Sequence, residues 1–199
     1  MFFKRKKKDE PITIVSGLPR SGTSMMMKIL EAGGLEPLTD NLRTADDDNP
    51  RGYYEFERVK KLREGDLAWL PEARGKVVKV IATLLTSLPP GYTYRVVFMR
   101  RAMPEILASQ KQMLVNRGED ADKISDEEMG RLFEQHLQRV NEWVKSQPNI
   151  TRHDVEYSEL VKDPQPHIEV VCEFLGEKLD IEKMVGVVDP KLYRQRREG

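Results

Sequence analysis

Apolar residues recur along this chain in two rhythms. Short runs rich in β-branched residues predict strands at 12–16, 76–81, 94–99 and Ile150 to Tyr157. Between them, apolar positions return every three or four residues, the period of a helix with one buried face. The first such helix is expected over 23–32 and stops at Gly33-Gly34. Residues 35–52 read as irregular; Tyr53-Tyr54-Glu55-Phe56 comes next, and then a helix through about Leu70. Pro104 opens another, running to about Asn116. Ser125-Asp-Glu-Glu128 is a capping box for a long helix to about Ser146, with Leu132, Phe133, Leu137, Val140 and Val144 as its apolar stripe. Pro164 begins a helix closed by Gly176, and a last short one covers Ile181 to Val187. Strands separated by helices predict an α/β fold with a central, mainly parallel sheet of about four to five strands. In such sheets, ligands bind at the carboxyl ends of the strands.

Composition narrows the picture. The chain has 199 residues, 39% hydrophobic and 33% charged, which suits one domain over 11–199 after a basic tail at 1–10. Formal net charge is zero, which argues against general nucleic-acid binding. The single cysteine, Cys172, excludes an intrachain disulfide and reads as a core residue. No apolar run is long enough for a membrane span, and a cytoplasmic location is the expectation. Asp46-Asp47-Asp48 is turn chemistry, since consecutive loop carboxylates rarely converge on one metal ion.

The chemistry gathers where the first strand ends. Gly17-Leu-Pro-Arg-Ser-Gly-Thr-Ser24 joins a buried strand to the start of a helix. A loop of this shape aims backbone N–H groups at one point beside the positive end of a helix dipole, which makes a phosphate site. The spacing of Gly17 and Gly22 matches a Walker A loop, but Thr23 stands where that motif has lysine and Ser24 where it has its Mg²⁺-binding hydroxyl. The loop's cation is Arg20 instead.

Pro19-Arg-Ser-Gly-Thr-Ser24 resembles the 5′-phosphosulfate loop of the sulfotransferases. Arg101-Ala-Met-Pro-Glu-Ile-Leu-Ala-Ser109 resembles that family's second element, an arginine at a strand end with a serine eight residues later. Asn49 to Arg58 and Val155 to Pro164, with Glu173-Phe-Leu-Gly176, resemble further segments of small bacterial members. The resemblance implies a P-loop-containing three-layer α/β/α fold and 3′-phosphoadenosine 5′-phosphosulfate as co-substrate, with adenosine 3′,5′-bisphosphate as product. Arg20, Ser21, Gly22, Thr23 and Ser24 would hold the sulfuryl-transferring end. Arg101 and Ser109 would hold the 3′-phosphate, and Tyr157 would lie near the nucleotide.

In-line sulfuryl transfer needs positioned reactants and stabilised charge, which the loop supplies without a metal. It also needs a base for the acceptor's proton. Glu55 is the first candidate, on the expectation that Tyr53, Tyr54 and Phe56 partly desolvate it; Glu57 and Asp40 are the others. A solvated carboxylate at a helix start is the alternative. Lys79, a charge within an apolar strand, either reaches the transferred group or pairs with a buried carboxylate. A small-molecule or carbohydrate acceptor is expected, with oligomeric state left open. Two other readings stay open: a P-loop kinase of small molecules, and a nucleotide-binding module without catalysis.

Overall fold

The computed structural model describes residues 10–40, 54–121 and 123–189. Four strands form one sheet: β1 (Ile12–Gly17), β2 (Val77–Lys79), β3 (Tyr94–Arg100) and β4 (Ile150–Glu156), in the order β2-β1-β3-β4. All pairings are parallel. The chain leaves β1 for β2 on one side and then crosses to β3 on the other. The carboxyl ends of β1 and β3 therefore flank the point where the winding reverses, which is where an open α/β sheet opens a crevice.

Side-chain alternation sends the strands' apolar residues into two cores. Ile12, Ile14, Val78, Val80, Val96 and Phe98 face one side, with Trp69, Leu70, Leu85 and, from α5 (Asp126–Lys145), Val140 and Val144. Val15, Val77, Val97, Met99 and Val155 face the other. There they meet Met26, Met27, Ile29 and Leu30 of α1 (Thr23–Ala32), so these methionines fill core as expected. The same core takes residues from α6 (Tyr157–Lys162), α7 (Pro164–Leu175) and α8 (Ile181–Val187). This is the expected three-layer α/β/α arrangement. The capping box also forms, with the Glu128 N–H donating to Ser125 Oγ at 3.2 Å.

Three expected elements come out differently. The helix expected through Leu70 is only α2 (Glu57–Lys60), followed by a 3-10 turn at Leu62–Glu64. Gly65, at φ +86°, breaks it. Trp69 then buries edge-on against Phe56, its indole N–H donating to the Asp66 carbonyl. Burying that indole outweighs the helical period. The strand expected over 76–81 pairs only through Val77–Lys79; Ile81 is exposed and caps α3 (Ala82–Leu85). The last strand stops at Glu156, and Tyr157 starts α6. Both α3 and α6 are too short to show a helical period. Within the segment read as irregular, Pro37 bridges Val77, so 37–38 runs beside β2 at the sheet edge. The acidic run at 46–48 lies outside the described residues.

Candidate functional site

The glycine loop turns out of β1 as a tight hairpin of backbone. The Ser21 N–H donates to the Leu18 carbonyl at 3.2 Å, and the Ser21 hydroxyl donates to the same carbonyl at 2.7 Å. Ser21 is buried, so both of its donors are turned into the loop. In this structure Ser21 therefore shapes the loop from within. Gly22 caps α1 in a left-handed conformation, and Thr23 and Ser24 form its first turn, half-buried. First-turn N–H groups have no partner within a helix, and the helix dipole makes them favour an anion.

Arg20 adopts φ +67°, a left-handed conformation that is uncommon for a residue with a Cβ. Its neighbours stabilise that turn. Arg101, just beyond β3, donates from Nη1 to the Arg20 carbonyl at 3.0 Å. Arg20 in turn donates from Nε to Ser109 Oγ at 3.0 Å. Ser109 lies on α4 (Met103–Asn116), buried on the face turned to the loop. Two motifs some eighty residues apart in the chain are thus joined by reciprocal hydrogen bonds.

Tyr157 completes the cluster from β4's end. The Arg101 guanidinium lies over its ring at 4.6 Å, within cation–π range. The ring also closes against Gly22, where a Cβ would sit 2.4 Å from it. Tyr157 is 5% exposed, so its ring packs the loop and the arginine together. Gly17 makes a second close approach: a Cβ there would lie 2.8 Å from the Met99 carbonyl. The cradle, the arginine–serine pair and the tyrosine therefore meet at the carboxyl ends of β1 and β3.

The base candidates stand on the other flank. Thr39 Oγ1 donates to the Glu55 carbonyl at 2.8 Å, hanging Glu55 on the edge segment beside β2. The Glu55 carboxylate is 18% exposed and pairs with Lys60 Nζ at 3.2 Å. The expected aromatic sheath does not form from the described neighbours: Phe56 packs on Trp69, and the Tyr54 hydroxyl donates to Glu31. Tyr54's own proton is held more tightly than usual, first by burial and then by the Glu31 carboxylate. Asp40 Oδ2 accepts the Glu57 N–H at 2.6 Å, so it caps α2. Glu57 is exposed and bonded to Lys60 at 2.6 Å. Lys60 holds its proton above the usual lysine range because both carboxylates accept from it, Glu57 the more strongly. Lys79 is the last residue of β2 rather than an interior one, half-buried and in register with Val15. It shares that flank with Glu55.

One member of the cluster was not picked out by the motifs. Glu105, 5% exposed, accepts from Arg101 Nε at 2.9 Å. Its signal was present as an acid four residues after the arginine on a helix start, the spacing of a facing pair. Among the described residues, no group of His, Cys, Asp and Glu has metal-site geometry, and no helix is long and apolar enough to cross a membrane.

A sequence model of the sulfotransferase family matches residues 79–180, a stretch that holds Lys79, Arg101, Glu105, Ser109 and Tyr157. No curated protein matches the chain by sequence. Two solved structures share the fold. The sulfotransferase domain from the curacin biosynthetic pathway aligns with a TM-score of 0.53 at 15% identity, over 90% of this chain and 78% of that one. The sulfotransferase domain from the Synechococcus PCC 7002 olefin synthase aligns with a TM-score of 0.55 at 16% identity, over 98% and 90%.

Proposed function

The chain belongs to the sulfotransferase family, and from that premise we propose that it moves a sulfuryl group from 3′-phosphoadenosine 5′-phosphosulfate to an acceptor hydroxyl or amine, without a metal. The observation that carries this reading is the joining of Arg20, Arg101 and Ser109 by hydrogen bonds at the end of the glycine loop. The two arginines and the first turn of α1 concentrate donors for a nucleotide that bears phosphate at both ends. Arginine suits this task because its planar fork meets phosphate oxygens in pairs.

In the reaction, the acceptor oxygen or nitrogen bonds to sulfur as the bond from sulfur to the 5′-phosphate oxygen breaks. The acceptor's proton leaves to a base. The Gly22, Thr23 and Ser24 N–H groups, the Thr23 and Ser24 hydroxyls and the Arg20 guanidinium stabilise charge growing on the transferred group and the departing phosphate. Lys79 adds positive charge from the β2 end. Glu55 takes the proton from the same flank, where Lys60 orients its carboxylate.

Isothermal titration with adenosine 3′,5′-bisphosphate in the presence of a chelator tests the donor. Tight binding is expected, with far weaker binding of ATP with Mg²⁺; the reverse order would replace this reading with a kinase. Glu55→Gln is expected to keep donor-product affinity within about twofold and to lower turnover at least ~100-fold, as for a general base. Unchanged turnover removes Glu55 from the role. The acceptor is proposed to be a small molecule or a carbohydrate.

A further inference from the structure

Glu105 is a buried acid beside a site built for anions. A carboxylate next to a phosphate clamp repels the ligand, a cost that a second role there would have to offset. Taking both partners of an ion pair out of water is costly, and apolar residues of similar size often stabilise a fold as well or better. General stability is therefore a poor account of this pair. Its geometry supplies a better one.

The Arg101 and Glu105 side chains are only 8% and 6% exposed. Glu105 takes the Nε edge of the guanidinium at 2.9 Å. Tyr157 supports the flat face at 4.6 Å. The Nη1 group is thereby directed to the Arg20 carbonyl at 3.0 Å. An arginine side chain has several rotatable bonds, and holding its head in one orientation costs entropy. Here the edge and the face are both held before any ligand arrives. The charge that does the holding comes from the same helix start, so loop movements leave it in place.

We propose that Glu105 is a positioning residue that aims Arg101 at the donor's 3′-phosphate. The inference rests on the donor reading above. It differs from a structural role in one respect. A residue that merely stabilises the fold affects binding of any nucleotide, whereas one that aims Arg101 affects the 3′-phosphate selectively.

The experiment is titration of the full chain with adenosine 3′,5′-bisphosphate and with adenosine 5′-monophosphate, which lacks the 3′-phosphate. Wild type is expected to prefer the bisphosphate at least tenfold. Glu105→Gln keeps the shape and removes the charge; it is expected to cut that preference about tenfold while leaving monophosphate affinity within twofold. Glu105→Asp keeps the charge but shortens the reach, and is expected to cut it at least threefold. If the glutamine variant does not fold, the aspartate variant decides alone. A preference that is unchanged or increased overturns the inference, as does an equal loss for both ligands. Wild type that shows no preference overturns the donor reading first, and the role of Glu105 with it.

Discussion

Arg101→Ala is expected to weaken adenosine 3′,5′-bisphosphate binding at least tenfold, about 1.4 kcal/mol or more, and to destabilise the fold as well. Three contacts go together: the Glu105 pair, the bond to the Arg20 carbonyl and the face of Tyr157. The largest penalty falls on Glu105, whose carboxylate, 6% exposed in the intact pair, loses the guanidinium that offsets its burial. Breaking a buried pair from one side costs about 3–5 kcal/mol. At roughly 2–4 °C per kcal/mol for a chain of this size, melting falls by about 10 °C. Thermal unfolding and calorimetric titration, the latter well below the variant's melting point, separate the two losses. Arg101→Lys keeps the charge without the fork and is expected to recover only part of the affinity. Wild-type affinity and melting in the alanine variant would remove Arg101 from the site.

Gly22→Ala is expected to be the most damaging small substitution in the loop. The residue sits at φ +99°, where a side chain is strained, and the new Cβ would lie 2.4 Å from the Tyr157 ring. Strain of this kind costs about 1–3 kcal/mol, and forcing a methyl into a packed contact costs about as much again. Relief requires Tyr157 to move off Gly22, which also takes away the face supporting Arg101. Melting is therefore expected to drop by roughly 5–15 °C, and donor-product affinity to fall by more than the tenfold expected for a single lost contact. Unaltered melting with intact binding would mean that the loop and the tyrosine are not packed against one another in solution. Gly34, just beyond the opposite end of α1, is the control: it has φ +101° but open space around its Cβ position, so alanine there brings the strain without the clash.

Much of the fold was legible because its signals are local. Ile12, Ile14 and Val15 are β-branched and run into a glycine turn, and they form β1. Ser125 and Glu128 stand at capping-box spacing, and the cap forms with Ser125 as the acceptor. The failures have a common physical cause. Apolar spacing from Phe56 to Leu70 fits a helix, but Gly65 breaks the run and Trp69 gains more from burial against Phe56 than from continuing it. The strand around Lys79 is short because its pairing with β1 ends at Val15, while β1 itself continues beside β3 to Gly17, which no propensity reveals.

The site divides in the same way. Arg20, Arg101, Ser109 and Tyr157 were legible as motifs, and the structure brings them together. The role of Ser21 was not: whether a hydroxyl faces a ligand or its own loop depends on how the backbone turns. Of the aromatic residues expected around Glu55, Phe56 and Tyr54 turn to different cores, and Tyr53 lies outside the described residues. Glu105 carried a helical pairing signal, but only burial shows that the pair is more than a surface contact.

By itself, the amino-acid sequence determined the alternation of strand and helix, the glycine loop and the second arginine–serine element, because each depends on residue type and near spacing. Tertiary structure alone decided that the two elements bond to each other, that Ser21 faces inward, that Tyr157 packs beneath Arg101 and that Glu105 holds the arginine's edge. These are contacts between residues distant in the chain or buried by it. Their energies depend on which groups lose water together, and that is settled only when the sheet brings the carboxyl ends of β1 and β3 side by side.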